Sequence, residues 1–229
     1  MAQKIQAIAS LHDKETILDI GVGTGTQVAY WLHNNKNIKK IVAVEKEKTL
    51  ARSLSDRFSN STVVKVVCAD ASNLTPEDAT SCEFDAIICL DCAYHFQSRR
   101  SFFYKVPQLL RRGGSFAAVD LVATSYTPWT LRWLAQLAVA VCSGIHCQNV
   151  VPANVYRADL IEAGLRDIVM EDISSEVFLP LSRFAWAGAL DDGLDLGPRL
   201  FFLSLSSYFR LVSYFDLFRV MVVHCVEVR

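Results

Sequence analysis

Short apolar runs alternate with stretches of helical spacing through about the first 120 residues, and this alternation admits few folds. The runs are Thr16-Ile17-Leu18-Asp19-Ile20-Gly21, then residues 41–45, 63–70, 84–91 and 115–122. They are rich in Val and Ile and apolar on both faces, as expected of strands in a parallel sheet covered by helices on either side. Residues 26–33, 48–58 and 99–110 carry the helical spacing, and Gly113-Gly114 is expected to stop the last of these helices. The pattern predicts an α/β fold built on a doubly wound, mostly parallel sheet.

After Val122 the rhythm breaks. An apolar stretch with Trp129, Trp133, Leu134, Leu137 and Val141 comes first, followed by strand-like runs at 168–174 and 217–228. Residues 125–153 and 175–216 carry too few periodic strands to stand alone, so they are expected as helical insertions of a single domain spanning 1–229. Hydrophobic residues make up 52% of the chain, against a usual share of roughly 45–50%. The insertions, which hold three of the four tryptophans, are where this surplus is expected, as an apolar lid.

The first strand runs into Asp19-Ile20-Gly21-Val22-Gly23-Thr24-Gly25 and then a helix, where a glycine-rich turn lets backbone approach a nucleotide-like ligand closely. A dinucleotide fingerprint of the form G-x-G-x-x-G would need glycine at position 26. That residue is Thr26, which disfavours a nicotinamide-dependent dehydrogenase. Glu45 ends the second strand, where a carboxylate can accept two ribose hydroxyls. Cys68-Ala69-Asp70-Ala71 ends the third strand, and Cys89-Leu90-Asp91-Cys92-Ala93-Tyr94-His95-Phe96 ends the fourth.

With these features in this order over about residues 15–122, the sequence resembles the class I S-adenosylmethionine-dependent methyltransferases, in particular their small-molecule (methyltransferase type 11-like) branch. The resemblance implies a Rossmann-like seven-stranded sheet in the order 3-2-1-4-5-7-6, with the seventh strand antiparallel. It implies S-adenosylmethionine as cofactor, held by Asp19, Gly21, Gly23, Gly25, Glu45, Asp70, Ala71 and Leu90. Within that set Asp19 would lie near the cofactor's ammonium, Glu45 on the ribose and Asp70 on the adenine amino group.

His95 is the candidate catalytic residue, because an imidazole just beyond the fourth strand can accept a proton from a substrate hydroxyl or amine. A loop histidine held only by hydrogen bonds is the competing reading. Tyr94 either lines the pocket or orients substrate, and Asp91 and Asp172 are secondary candidates at the same rim. Cys89 and Cys92 form one C-x-x-C, and no metal site is expected, because structural zinc requires four ligands at regular spacing.

With 23 Lys and Arg against 24 Asp and Glu, the chain offers no electrostatic case for nucleic acid as a partner. Trp133 to Ile145 is too short to cross a bilayer, so no transmembrane segment is expected. Seven scattered cysteines and a start without a signal-type apolar run point to a reducing, cytoplasmic setting. An enzyme that methylates an apolar small molecule, for instance in secondary metabolism, fits these observations. A methyltransferase-like, partner-binding subunit without independent catalysis is the alternative. Acceptor identity and oligomeric state leave no mark in the sequence.

Overall fold

The computed structural model describes residues 2–75, 83–124, 130–190 and 195–227. In chain order its main elements are α1 (Ala2–Ile8), β1 (Thr16–Ile20), α2 (Thr26–Asn34), β2 (Lys40–Glu45), α3 (Lys48–Arg57), β3 (Val64–Cys68) and β4 (Phe84–Leu90). There follow α4 (Arg99–Phe103), α5 (Val106–Leu109), β5 (Leu110–Ala123), α6 (Leu131–Cys142), α7 (Ala153–Glu162), β6 (Leu165–Asp172), α8 (Ser174–Ala189), α9 (Leu196–Tyr214) and β7 (Phe218–Glu227). The seven strands form one sheet in the order β3-β2-β1-β4-β5-β7-β6. Neighbours from β3 to β5 pair in parallel, while β7 runs antiparallel to both β5 and β6. This is the doubly wound sheet and strand order that the resemblance implied.

Two-residue alternation along the strands divides the core between the two faces of the sheet. Ile17, Ile41 and Ile88 pack with Val28 and Trp31 of α2 on one face. Leu18, Val42 and Ile87 pack with Phe102, Phe103 and Tyr156 on the other. β1, β2 and β4 are therefore apolar on both sides, whereas the edge strands β3 and β6 keep a half-exposed pattern.

Two expectations need correction. Residues 99–110 do not form one helix stopped by Gly113-Gly114; α4 ends at Phe103 and a separate short helix ends at Leu109. Pro107 stands in the first turn of α5, where its missing N–H is harmless, but it could not have continued α4 by bonding the carbonyl of Phe103. The glycines sit inside β5, at a bulge where pairing jumps from Phe84↔Leu110 to Ala86↔Ser115. A Cβ on Gly114 would lie 2.9 Å from the Phe84 carbonyl oxygen, so only glycine fits there. Strand β6 also begins three residues earlier than its apolar run, because a second irregularity between Arg166 and Val169, with Asp167 at φ 51°, carries pairing back to Leu165.

Both stretches outside the rhythm are helical where described. Trp129 and its neighbours from 125 lie outside the described residues, as do 191–194. Helices α8 and α9 pack as an antiparallel pair, with Phe178 stacked on Phe209 at 6.5 Å and Ser206 Oγ donating to the Ser182 carbonyl at 3.0 Å. No helix among the described residues is long and apolar enough to cross a membrane.

Candidate active site

The chain leaves β1 through a turn in which Gly21, Gly23 and Gly25 adopt φ of 67°, 53° and 78°, a region that costs other residues about 1–2 kcal/mol each. Two of these glycines are also required sterically. A Cβ on Gly21 would come within 2.7 Å of Cys92 Cβ, and one on Gly25 within 2.3 Å of Leu54 Cδ2. At Gly23 a Cβ would meet nothing within 4 Å, so this turn faces open space just before the N-terminus of α2.

Beside the turn lies a crevice of about 200 Å³ lined by Gly21, Glu45, Asp70, Ala71 and His95, among others. Glu45 Oε2 accepts from Gly23 N at 2.8 Å and Oε1 from Glu47 N at 2.9 Å. Each oxygen keeps a second lone pair, so the carboxylate is fixed in place yet can still accept two further bonds. Burial raises the Asp70 carboxyl, but the Lys46 ammonium at 2.7 Å and the Ser72 amide outweigh it and hold the group below its ordinary value. Asp70 is thus an ionised acceptor. A pinned carboxylate with two spare acceptor positions suits a vicinal diol, and an ionised one suits an amino group, so the crevice fits the ribose and adenine of a nucleoside.

Asp19, Gly23, Gly25 and Leu90 do not line the crevice. Leu90 closes β4 opposite Val119. Asp19 is fully buried behind the turn, where Gln27 Nε2 donates to it at 2.6 Å and Trp31 Nε1 at 2.9 Å. Burial pushes its carboxyl up to about 7, partly offset by those two neutral donors. Trp31 was not legible as part of the site, since a Trp at helical spacing reads as core.

His95 ends the short turn Ala93–His95 after β4 and lines both this crevice and a larger cavity of about 640 Å³. Its Nδ1 lies 2.9 Å from the carbonyl oxygen of Gly144. A carbonyl only accepts, so Nδ1 carries the proton and, in the neutral ring, Nε2 bears the free lone pair. Tyr94 lies against the ring at 4.3 Å with the two planes tilted by 53°, and donates its hydroxyl to Asp91 at 2.7 Å. Burial and the adjacent Asp91 carboxylate raise the Tyr94 phenol far above its ordinary value, so its proton stays in place.

The loop bearing His95 is held from behind by Asn149, a residue with no sequence motif. Its Nδ2 bonds the carbonyls of Tyr94 at 3.0 Å and Phe96 at 2.6 Å, and its Oδ1 accepts from the Arg99 amide at 2.9 Å. Arg99 is buried, with Nη2 on the Asn149 carbonyl and Nη1 on Asp120 at 3.2 Å.

The larger cavity is walled mainly by apolar side chains, among them Leu121, Val139, Phe178, Phe209, Val212 and Phe218, with Tyr94, Ser143, Ser204 and Tyr208 as its hydroxyl-bearing residues. Asp172 stands apart from both spaces, accepting from the amide and hydroxyl of Ser174. Cys89 and Cys92 Sγ lie 2.8 Å apart as free thiols, with Cys92 against the Ile20 carbonyl. Among the described residues no three His, Cys, Asp or Glu side chains converge as metal ligands.

The profile of the methyltransferase domain family matches residues 18–118, which run from β1 into β5. Erythromycin 3''-O-methyltransferase of Saccharopolyspora erythraea is 25% identical over 84% of this chain and 63% of its own length. The 27-O-demethylrifamycin SV methyltransferase of Amycolatopsis mediterranei is 27% identical over 83% of this chain and 66% of its own length. The chain thus spans just under two-thirds of these relatives. Among solved structures, phosphoethanolamine N-methyltransferase 2 of Haemonchus contortus, in complex with S-adenosyl-L-methionine, aligns with a TM-score of 0.79 at 14% identity, over 99% of this chain and 53% of that one.

Proposed function

We propose that residues 18–118, which match the methyltransferase domain family, form the core of a class I S-adenosylmethionine-dependent methyltransferase domain, and that the protein methylates a hydroxyl of an apolar small molecule with His95 as general base. When bound, S-adenosylmethionine supplies an electrophilic methyl on a positively charged sulfur, open to in-line displacement. The protein's own work is to place the accepting oxygen on that line and to take its proton.

The observation that carries this reading is the position of His95. Its ring lines the crevice that suits the adenosine and also the apolar cavity that suits the acceptor, and Gly144 fixes the tautomer that leaves Nε2 as a proton acceptor. Glu45 and Asp70 hold the ribose and adenine. Gly21 and Gly23 let the backbone approach, Gly25 shapes the turn, Ala71 walls the crevice, and Leu90 ends the strand that leads into the loop of His95. Asp19, held at the turn by two neutral donors, supplies negative charge toward the cofactor's ammonium. The helices α6, α8 and α9 act as a lid that keeps water from the methyl. The two relatives named as methyltransferases of erythromycin and of 27-O-demethylrifamycin SV favour a secondary metabolite as acceptor.

The test is transfer of a radiolabelled methyl from S-adenosylmethionine to a panel of apolar phenols and alcohols by wild type and His95→Ala, with S-adenosylhomocysteine binding measured in parallel. The variant is expected to bind the cofactor product normally and to lose about 10²–10⁴ in turnover. Undiminished turnover in His95→Ala removes the base from the reaction, and wild-type binding without transfer to any acceptor supports the partner-binding subunit instead.

A further inference from the structure

The larger cavity shows an unusual balance of hydrogen-bonding capacity. Ser143 Oγ donates to the Val139 carbonyl at 2.8 Å, because a carbonyl cannot donate back. The hydroxyl of Tyr208, in contact with Ser143 Oγ, must therefore be the donor in that pair. Ser204 Oγ donates to the Phe201 carbonyl at 2.7 Å, Tyr94 to Asp91 at 2.7 Å, and His95 Nδ1 to Gly144 at 2.9 Å. Every O–H and ring N–H on this wall is committed within the protein. What remains uncommitted on this wall are lone pairs on Tyr94, Tyr208, Ser143, Ser204 and His95 Nε2, with the thiol of Cys142 as a weak donor. Burial raises the Tyr208 phenol, so that oxygen stays a neutral acceptor rather than a charge.

We infer that the cavity selects its ligand by donors: it takes an apolar molecule carrying at least two hydroxyl protons, one for His95 Nε2 and one for the Tyr208 oxygen, as in an apolar polyphenol or polyol. This rests on the proposed function for the role of His95 and adds the substrate class. An ether or carbonyl placed on this wall would meet lone pairs with lone pairs and leave a desolvated acceptor unpaired, which is costly. Methylation itself converts one donor into an ether. The O–H bond breaks, its proton passes to His95 Nε2, the methyl–oxygen bond forms, and the sulfonium leaves as a neutral thioether. Once His95 has released that proton to solvent, Nε2 is again a lone pair and the ether product lacks the hydrogen that held the substrate, so the cavity favours substrate over product.

The test is calorimetric binding of naphthalenediol isomers, naphthols and methoxynaphthols to the full chain saturated with S-adenosylhomocysteine. At least one diol should bind about tenfold more tightly than its parent naphthol, the effect of one added hydrogen bond, and the methoxynaphthols should bind no more tightly than the naphthols. Tyr208→Phe should bring the diol-to-naphthol ratio to about one. Ser143→Ala, which releases the Tyr208 proton, should raise methoxynaphthol affinity relative to naphthol, an outcome that a loss of folding cannot imitate. Diols that bind no better than naphthols in the wild type, or methoxynaphthols that bind as tightly as diols, overturn the inference. Because the readout is binding, a diol preference without methyl transfer removes the proposed function and leaves the donor rule standing, and transfer without a diol preference does the reverse.

Discussion

The crevice and the larger cavity meet at His95 yet are built in opposite ways. The crevice is made of groups at the ends of β1 to β4 and held by backbone: Glu45 by amides two and twenty-two residues away, and Asp70 by the amide of Ser72. The cavity is assembled from the turn after β4, the end of β5, the end of α6 and the turn after it, one residue of α8, a face of α9 and the start of β7. Local backbone bonding gives a rigid polar seat whose chemistry is set by the fold. Apolar packing between distant segments gives a space whose shape can change without disturbing that seat.

Gly23→Val strikes the seat and should have the largest effect among variants that separate the two regions. Its side chain would enter open space, so the fold should tolerate it apart from backbone strain of about 1–2 kcal/mol. S-adenosylhomocysteine affinity by calorimetry should fall at least about 100-fold, or roughly 2.7 kcal/mol. Retention of near-normal affinity would show that the ligand does not sit against this turn. Phe178→Ala strikes the cavity. Deleting a buried ring should cost about 3 kcal/mol in denaturant unfolding and raise the acceptor KM, with cofactor affinity changed less than about twofold. A matching loss of cofactor affinity would mean that seat and cavity are mechanically one.

Asn149→Ala acts at the junction. It removes the side-chain partner of the Phe96 carbonyl and of the Arg99 amide, while the Tyr94 carbonyl keeps the His146 amide, so stability should drop by about 1–3 kcal/mol, and kcat should fall while the cofactor KM holds. An unchanged kcat would reduce Asn149 to a support of the fold. The smallest effect concerns pH. With the Asp19 carboxyl near 7 in the free protein, a bound cation favours its ionised form, so S-adenosylmethionine affinity should rise about tenfold from pH 6 to pH 8. Asp19→Asn should flatten that rise, and an equal slope in both proteins would place the titrating group elsewhere. The same raised carboxyl lends Asp19's contribution to stability at acid pH, from where it declines as pH climbs toward 7.

The seat was legible in the sequence because its determinants are local. A glycine turn directly after an apolar strand, and acids at successive strand ends, announce both a position and a chemistry. The strand order followed from the resemblance, and the strands themselves from their buried two-sided pattern. The limits of local reading appear at Gly113-Gly114, where a dipeptide that usually ends a helix instead shapes a bulge against Phe84. Asn149, Gly144 and Tyr208 left no signal, because each acts on a partner at least 49 residues away along the chain. Trp31 was hidden for a different reason: it is core by every measure of burial and also a donor to Asp19.

The placement of β7 between β5 and β6 bears on how the molecule is made. As the chain emerges during synthesis, β5 waits with an open flank and β6 has no neighbour to join until the final strand arrives and zips both together. The α8–α9 pair is strung between β6 and β7, so it is tied down at both ends only once β7 has entered the sheet, and the crevice around Glu45 can be complete while the larger cavity is still being closed.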